Sequence, residues 1–157
     1  MSYDTITVEV RQQVAHVALN RPDKANSLNE AMWQELQQAM EWCDAQLEVR
    51  AVVLSGNGKH FCAGIDLAML MNMQRAIEDS CEARKRDKLR RLIVGLQANV
   101  SSLELCRKPV IAAIHGACVG GALDIVLAAD IRLADEGAVF SVREVDVGMV
   151  ADVGSLQ

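Results

Sequence analysis

The stretch from Ile111 to Asp124 reads IAAIHGACVGGALD and joins an apolar strand, a glycine turn and the start of a helix. In that order, the turn leaves backbone N–H groups without intrahelical partners, where an anionic oxygen can bind. A second stretch, Phe61 to Leu67 (FCAGIDL), also follows an apolar strand, Ala51 to Leu54, and also opens into a helix. We therefore predict that two glycine loops converge on one oxygen atom of a ligand.

Composition narrows the class of protein. The chain has 157 residues, of which 51% are hydrophobic and 24% charged, and this composition predicts one compact domain. The net charge of −5 argues against nucleic acid as a partner. With no apolar stretch of about 20 residues and no signal-peptide pattern, we expect no membrane partner. The five cysteines lack C-x-x-C spacing, which predicts free thiols in a reducing, cytoplasmic or similar compartment.

Apolar strands alternate with amphipathic helices along the chain. The motif Ser27-Leu28-Asn29-Glu30 predicts a capping box that opens the first helix. Strands that recur after helices imply an α/β fold of stacked β-β-α units, in which helix Leu67 to Glu78 is the expected mobile cover. The other predicted elements are a hairpin of Thr5–Val10 and Val14–Leu19, strand Ala51–Ser55, a helix with its apolar stripe from Leu89 to Leu103, and strand Val110–Ile114, buried on both faces.

Three acids fall among apolar residues: Asp124, Glu144 and Asp152. An apolar environment disfavours the charged form of a carboxyl group, so such groups suit proton transfer near neutral pH. The alternative is that each acid caps a helix or pairs with an arginine. Asp152, which precedes an incipient helix, fits the capping alternative well.

The two glycine loops together resemble the enoyl-CoA hydratase/isomerase (crotonase) superfamily. Two more segments are similar to family motifs: Asn20 to Leu28, which is like an RPxxxNAL segment, and Ala128 to Arg132. The resemblance implies a crotonase-like spiral of stacked β-β-α units over residues 1–157. Family members continue through further spiral and through C-terminal helices that assemble trimers. We therefore expect a C-terminally truncated core whose full-length form is a homo-oligomer, a trimer or hexamer.

The resemblance also implies the roles of individual residues. In the hydratase branch, the positions matching Asp124 and Glu144 are both glutamate, and the position matching Asp152 is usually glycine. In the dienoyl-CoA isomerase (delta3,5-delta2,4) branch these positions are Asp, Glu and Asp, as they are here. The implied catalytic residues are thus Glu144, Asp152 and Asp124. The implied oxyanion hole consists of the N–H groups of Ile65 and Gly121, and the implied substrate-binding residues are Ala25, Ala63, Gly64, Asp66 and Gly120.

The implied activity is the conversion of 3,5-dienoyl-CoA to 2,4-dienoyl-CoA by a 1,5 proton shift. Asp152 is the expected base at C2, Glu144 the expected acid at C6, and Asp124 an orienting group. No cofactor and no metal are expected, because the CoA moiety is part of the substrate. The alternatives are an enoyl-CoA hydratase or another crotonase-type enzyme, and an inactive acyl-CoA-binding or RNA-associated scaffold.

Several polar residues near the loops have simpler interpretations. Cys62 and Cys118 lie inside the glycine loops, but no histidine is obviously paired with either, so packing is favoured over nucleophilic catalysis. Lys24 and Lys59 are expected to be surface residues, with contacts to the phosphates of CoA as the alternative. His60 and His115, the histidines near the loops, are given no catalytic role, because backbone donors already explain the site.

Overall fold

A five-stranded sheet runs through the protein in this computed structural model, which describes residues 3–147 and 153–154 and only the backbone of residues 146 and 147. Its strands are β1 (Ile6–Arg11), β2 (Val14–Leu19), β3 (Ala51–Gly56), β4 (Val110–Ile114) and β6 (Ile131–Ala134), adjacent in that order. β1 and β2 form the predicted antiparallel hairpin, and every other pair is parallel. The predicted α/β class is confirmed.

A second, smaller sheet stacks beside the first. It pairs β5 (Ala117–Val119) with β7 (Val139–Ser141) in parallel, and Cys62 extends the pairing through a bridge to Cys118. The chain thus leaves β3, β4 and β6 in turn and each time adds a segment to the second sheet. This repetition is the expected stacking of β-β-α units.

The helices connect the strands and cover the sheets. α1 (Glu30–Ala45) joins β2 to β3, α2 (Leu67–Ile77) and α3 (Glu82–Glu104) join β3 to β4, and α4 (Gly121–Leu127) follows β5. α2 has no buried residue, and α3 is buried only near its C-terminal end. Among the described residues, no helix is long and apolar enough to cross a membrane. α2 and the first turns of α3 therefore stand away from the core.

The first helix begins later than the sequence motif predicts. α1 starts at Glu30, and its N-cap is Asn29, whose side chain accepts a hydrogen bond of 2.9 Å from the N–H of Met32. The predicted capping box at Ser27 is therefore wrong. The cause is a long-range pairing, because Leu28 forms a β-bridge with Ile65 and its extended backbone delays the helix.

Two other predictions need smaller corrections. α2 ends at Ile77, one residue earlier than expected. In β4 the residues on one face are fully buried, whereas Ile111 and Ala113 on the other are half-buried. The prediction of full burial on both faces therefore holds for one face only.

Asn26 ties the segment before α1 to the loop after β3. Its side chain is fully buried, and its φ of +53° places the backbone in the left-handed region that asparagine tolerates. The Oδ1 atom accepts a 2.8 Å hydrogen bond from the N–H of Arg21. The Nδ2 atom lies 2.8–3.1 Å from the carbonyl oxygens of Asn57, His60 and Phe61. One side chain therefore satisfies backbone groups of two separate segments.

The substitution Asn26→Ala should destabilise the protein by at least about 3 kcal/mol, because it leaves buried backbone groups without partners. Urea unfolding followed by circular dichroism measures this change. Asn72→Ala is the control, since Asn72 is exposed on α2 and should shift the free energy of unfolding by less than about 0.5 kcal/mol. A loss below about 1 kcal/mol for Asn26→Ala would show that Asn26 does not hold these segments together.

Candidate active site

Two backbone hydrogen bonds join the loop after β3 to the loop after β4. The N–H of Cys62 donates to the carbonyl oxygen of Ala117 at 2.9 Å, and the N–H of Val119 donates to the carbonyl oxygen of Cys62 at 3.1 Å. These bonds form the parallel bridge between Cys62 and Cys118. The two glycine loops therefore run side by side in a fixed register.

The N–H groups of Ile65 and Gly121 lie at equivalent places in the two loops, each three residues after its bridged cysteine. Leu28 donates to the oxygen of Gly64 and accepts from the N–H of Asp66, so in extended backbone the N–H of Ile65 points the other way. Gly121 is the first residue of α4, where an N–H has no intrahelical acceptor. Neither N–H donates a hydrogen bond to any residue that the structure describes.

Gly64 allows the two loops to approach closely. Its φ is +89°, and a Cβ atom added there would lie 2.7 Å from the carbonyl oxygen of Val119 and 3.7 Å from the Cα of Gly120. Both the backbone conformation and the contact exclude an ordinary side chain. Glycine at position 64 therefore sets how near the two N–H donors can lie.

Both donor residues line a single cavity of about 390 Å³, a volume within the usual range for small-molecule sites. Seven of the ten predicted site residues line it: Ala63, Gly64, Ile65, Gly120, Gly121, Asp124 and Glu144. The remaining walls are mainly apolar side chains of α2 and α3, together with Trp33 of α1. The cavity therefore combines a polar end at the glycine loops with an apolar body.

Glu144 brings a carboxylate to the polar end of the cavity. It opens a short 3-10 helix, Glu144–Val147, that follows β7. Its Oε1 atom lies 3.2 Å from the place where a Cβ of Gly120 would stand, and Gly120 has a φ of +55°. Its Oε2 atom is buried and has no hydrogen-bond partner among the described residues. A buried carboxylate oxygen without a partner is available to a ligand.

Asp124 is more deeply buried than Glu144, with 1% of its surface exposed. It lies in the first turn of α4, whose N-cap is Gly120 with no side-chain capping bond. The N-cap residue of this helix is thus Gly120 and not Asp124. Gly154 packs against it, because a Cβ added to Gly154 would lie 3.2 Å from the Cβ of Asp124.

Two other predicted site residues, Ala25 and Asp66, do not line the cavity. Ala25, with a φ of +48°, accepts a 3.0 Å hydrogen bond from the N–H of Ala63 through its carbonyl oxygen, so it supports the loop from behind. Asp66 is the N-cap of α2 and pairs with Arg21 at 3.1 Å. Asp152 lies outside the described residues.

The surroundings of Asp66 determine the charge state of its carboxyl group. Burial raises the pKa of its carboxyl group, but hydrogen bonds from the N–H of Ala68 and from Arg21 outweigh that effect, so the pKa of Asp66 is lowered below its ordinary value. A carboxylate held charged in an ion pair at a helix N-terminus stabilises that helix. These contacts indicate that Asp66 positions α2.

Cys62 and Cys118 are buried inside the bridge. Burial raises the pKa of each thiol to about 12, so both are neutral near pH 7. The Sγ atom of Cys62 accepts a 3.4 Å hydrogen bond from the N–H of Gly64. Because a cysteine nucleophile must be a thiolate, these contacts favour the packing interpretation.

The histidines near the loops bond to backbone atoms. The Nδ1 atom of His60 accepts from the N–H of Ala117 at 3.2 Å, and the Nε2 atom of His115 lies 3.0 Å from the carbonyl oxygen of Gly58. Both rings therefore support the loops. In the described part of the chain, no group of three or more His, Cys, Asp or Glu residues could hold a metal ion.

The sequence prediction does not include Trp33 or Arg143, which also line the cavity. Trp33 belongs to the apolar face of α1 and is 3% exposed. Its indole ring lies against Gly121, with Cζ2 3.3 Å from the place of a Cβ there. Helical periodicity marks a buried residue but does not separate a core contact from a cavity wall, so no sequence signal singles out Trp33.

Comparison with known proteins matches residues 9–157 to the family model described as Enoyl-CoA hydratase/isomerase. The chain is 42% identical to the peroxisomal Delta(3,5)-Delta(2,4)-dienoyl-CoA isomerase of Arabidopsis thaliana, over 99% of this chain and 58% of that protein. It is 46% identical to the mitochondrial Delta(3,5)-Delta(2,4)-dienoyl-CoA isomerase of Mus musculus, over 99% of this chain and 48% of that protein. The chain thus spans about half the length of the curated relatives it matches.

A solved structure shows the same fold. The crystal structure of an enoyl-CoA hydratase/isomerase from Xanthobacter autotrophicus Py2 superimposes with a TM-score of 0.83 at 34% identity, covering 94% of this chain and 52% of that chain. The expected crotonase-like spiral is thereby confirmed. The family model, the similar sequences and the shared fold agree, and the chain belongs to the enoyl-CoA hydratase/isomerase family.

Proposed function

We propose that this protein is an isomerase that converts 3,5-dienoyl-CoA thioesters to 2,4-dienoyl-CoA thioesters. The observation that carries the proposal is the pair of unbonded N–H groups, of Ile65 and Gly121, on two bridged loops that line one cavity with Asp124 and Glu144. The similarity to two proteins named as dienoyl-CoA isomerases supports this choice within the family.

The two N–H groups bind the thioester carbonyl oxygen. Removal of a proton from C2 delocalises negative charge onto this oxygen, and a dienolate forms. Donors already in place stabilise that charge without reorganisation, and one such donor contributes about 3–4 kcal/mol to transition-state stabilisation. The neutral thiols beneath the loops add no competing charge.

Two carboxyl groups complete the proton shift. Asp152 is the proposed base that removes the C2 proton, and Glu144 is the proposed acid that delivers a proton to C6. The double bonds move from C3 and C5 to C2 and C4, so the reaction needs neither water nor an electron carrier. The buried, unpartnered Oε2 atom of Glu144 supports its role, and Asp124 orients the conjugated chain.

The CoA moiety serves as the handle of the substrate, and the proposal includes no separate cofactor. We infer that the loop around Ala25 and the edge from Lys59 to Phe61 lie near its adenine and pantetheine, with Lys24 and Lys59 as candidate phosphate contacts. A homo-oligomer, trimer or hexamer, remains part of the proposal. The names of the two relatives point to a peroxisomal or mitochondrial setting and not to the cytoplasm expected from the sequence.

The protein should convert 3,5-dienoyl-CoA to 2,4-dienoyl-CoA, which is followed by the ultraviolet absorbance of the conjugated thioester. Hydration of 2-enoyl-CoA, measured in parallel, should be much slower, because the acid set is that of a diene isomerase. Hydration without any diene shift would assign the protein to the hydratases. Binding of both thioesters without turnover would assign it to the inactive scaffolds.

Glu144→Gln and Asp152→Asn should each lower kcat for isomerisation by a factor of about 10² to 10⁴, because each removes a proton-transfer group. Both variants should bind the CoA thioester with nearly unchanged Kd in calorimetry, since neither change touches the N–H donors. Full turnover by either variant would contradict the two-carboxylate mechanism.

Gly64→Ala should reduce kcat by about 10²-fold, because the added Cβ would push the two loops and their N–H groups apart. Gly95→Ala is the matched control: a Cβ there meets no atom within 4 Å, and the position lies within α3. That control should keep full activity and gain about 0.5–1 kcal/mol in helix stability. Equal activity of the two variants would show that loop spacing does not matter for catalysis.

A further inference from the structure

A second, larger cavity adjoins the candidate active site. It has a volume of about 960 Å³ and lies among α1, α2 and α3; we call it the outer groove. Its lining residues include Asn29, Gln34, Asn72 and Asn99. The catalytic cavity, by contrast, is bounded away from the loops mainly by leucine, isoleucine and methionine. The two spaces therefore differ in polarity.

Four side chains line both spaces and form a dividing wall between them: Trp33, Met73, Leu92 and Leu96. Trp33 is its rigid part, because the indole is buried and packed against Gly121. Met73 is its adaptable part, because α2 has no buried residue and a methionine side chain is flexible.

The position of the wall relates directly to the substrate. When the N–H groups of Ile65 and Gly121 hold the thioester oxygen, the acyl tail extends into the apolar body of the cavity. The far edge of the Trp33 indole lies beside Gly121, and Trp33 also lines the outer groove, so a tail held at Gly121 would lie along the indole and approach the wall. A tail longer than this cavity would have to pass these side chains to enter the outer groove, which is the more polar of the two spaces.

We propose that the dividing wall sets the longest acyl tail that the enzyme accepts, with Trp33 and Met73 as its specificity-determining residues. This inference rests on the proposed acyl-CoA isomerase function and adds to it a preference for short and medium tails. The dividing wall between the two cavities thus limits the length of the acyl tail. Replacing one of its side chains with a smaller one opens the outer groove to the tail.

The test uses 3,5-dienoyl-CoA substrates of eight, ten, twelve and fourteen carbons, with kcat/KM measured for each. In the parent protein, the ratio of kcat/KM for the longest to the shortest substrate should be low. Met73→Ala should raise that ratio by about tenfold or more, because each methylene accommodated or excluded by an apolar pocket changes kcat/KM by about that factor. An effect on the chemical step would change kcat/KM equally for every chain length. A change in the ratio therefore reports on the wall and not on the chemistry.

Met71→Ala is the matched control, since Met71 lies on the same helix, is 56% exposed and lines neither cavity. Its ratio should equal that of the parent protein. Trp33→Phe provides a second probe from another helix. The indole Nε1 has no hydrogen-bond partner among the described residues, so phenylalanine changes volume without breaking an internal hydrogen bond. It should also raise the ratio.

If Met73→Ala, Met71→Ala and the parent protein have equal ratios of kcat/KM for the longest to the shortest substrate, the proposed role of the dividing wall is overturned. A parent protein that converts all four lengths equally well would overturn it too. If no dienoyl-CoA is converted, the proposed function fails independently, and the wall is tested by the Kd of saturated acyl-CoA thioesters of the same lengths. A preference for short tails that Met73→Ala removes would then support the wall, and no length dependence would overturn it.

Discussion

The pair of hydrogen bonds around Cys62 is the constraint on which the rest of the site depends. One bond reaches Ala117 and the other comes from Val119, so the two loops advance in step from the bridge. The N–H groups of Ile65 and Gly121 then lie at matching positions and are left unbonded by the local geometry. Donors fixed in this way act on a developing oxyanion without moving, which is the main advantage of a preorganised site.

The side of the cavity formed by the glycine loops and the side formed by the helices must meet different physical requirements. The glycine-loop side must be precise, and it is supported by the buried Asn26, by neutral thiols and by the close contact at Gly64. The helical side only has to exclude water and contact an alkyl chain. α2 and the first turns of α3 are correspondingly exposed and are held partly by ion pairs, such as Arg84 with Asp79. In the proposed reaction, this division would place rigidity at the site of proton transfer and adaptability along the acyl tail.

Local patterns predict much of this molecule from sequence. The hairpin, β4 and the two glycine loops follow from short-range signals, whereas the proposed donors at Ile65 and Gly121 came from the resemblance to the family. Features that depend on long-range contacts do not. Helix α1 starts late because Leu28 pairs with Ile65, and Asp66 turns toward Arg21 and not toward the cavity.

Trp33 is a further residue whose role depends on long-range contacts and is not predicted from the sequence. Its position in the helical repeat of α1 is that of a core residue. Trp33 lies between two cavities only because α1, α2 and α3 pack around it. The two proposed catalytic acids in the described part of the chain, Asp124 and Glu144, are predicted only in part by the sequence. The sequence places Asp124 just after a glycine turn and Glu144 among apolar residues, but the fold alone brings both into one cavity.

The central claim is that two backbone N–H groups polarise one thioester carbonyl. Difference infrared spectroscopy of a 2,4-dienoyl-CoA with a ¹³C label at the thioester carbon tests it most directly, because the carbonyl stretching frequency falls as the oxygen accepts stronger hydrogen bonds. We predict a clear shift to lower frequency on binding to the protein, relative to the free thioester in water, and a smaller shift with Gly64→Ala. An unchanged frequency in the bound state would contradict the account.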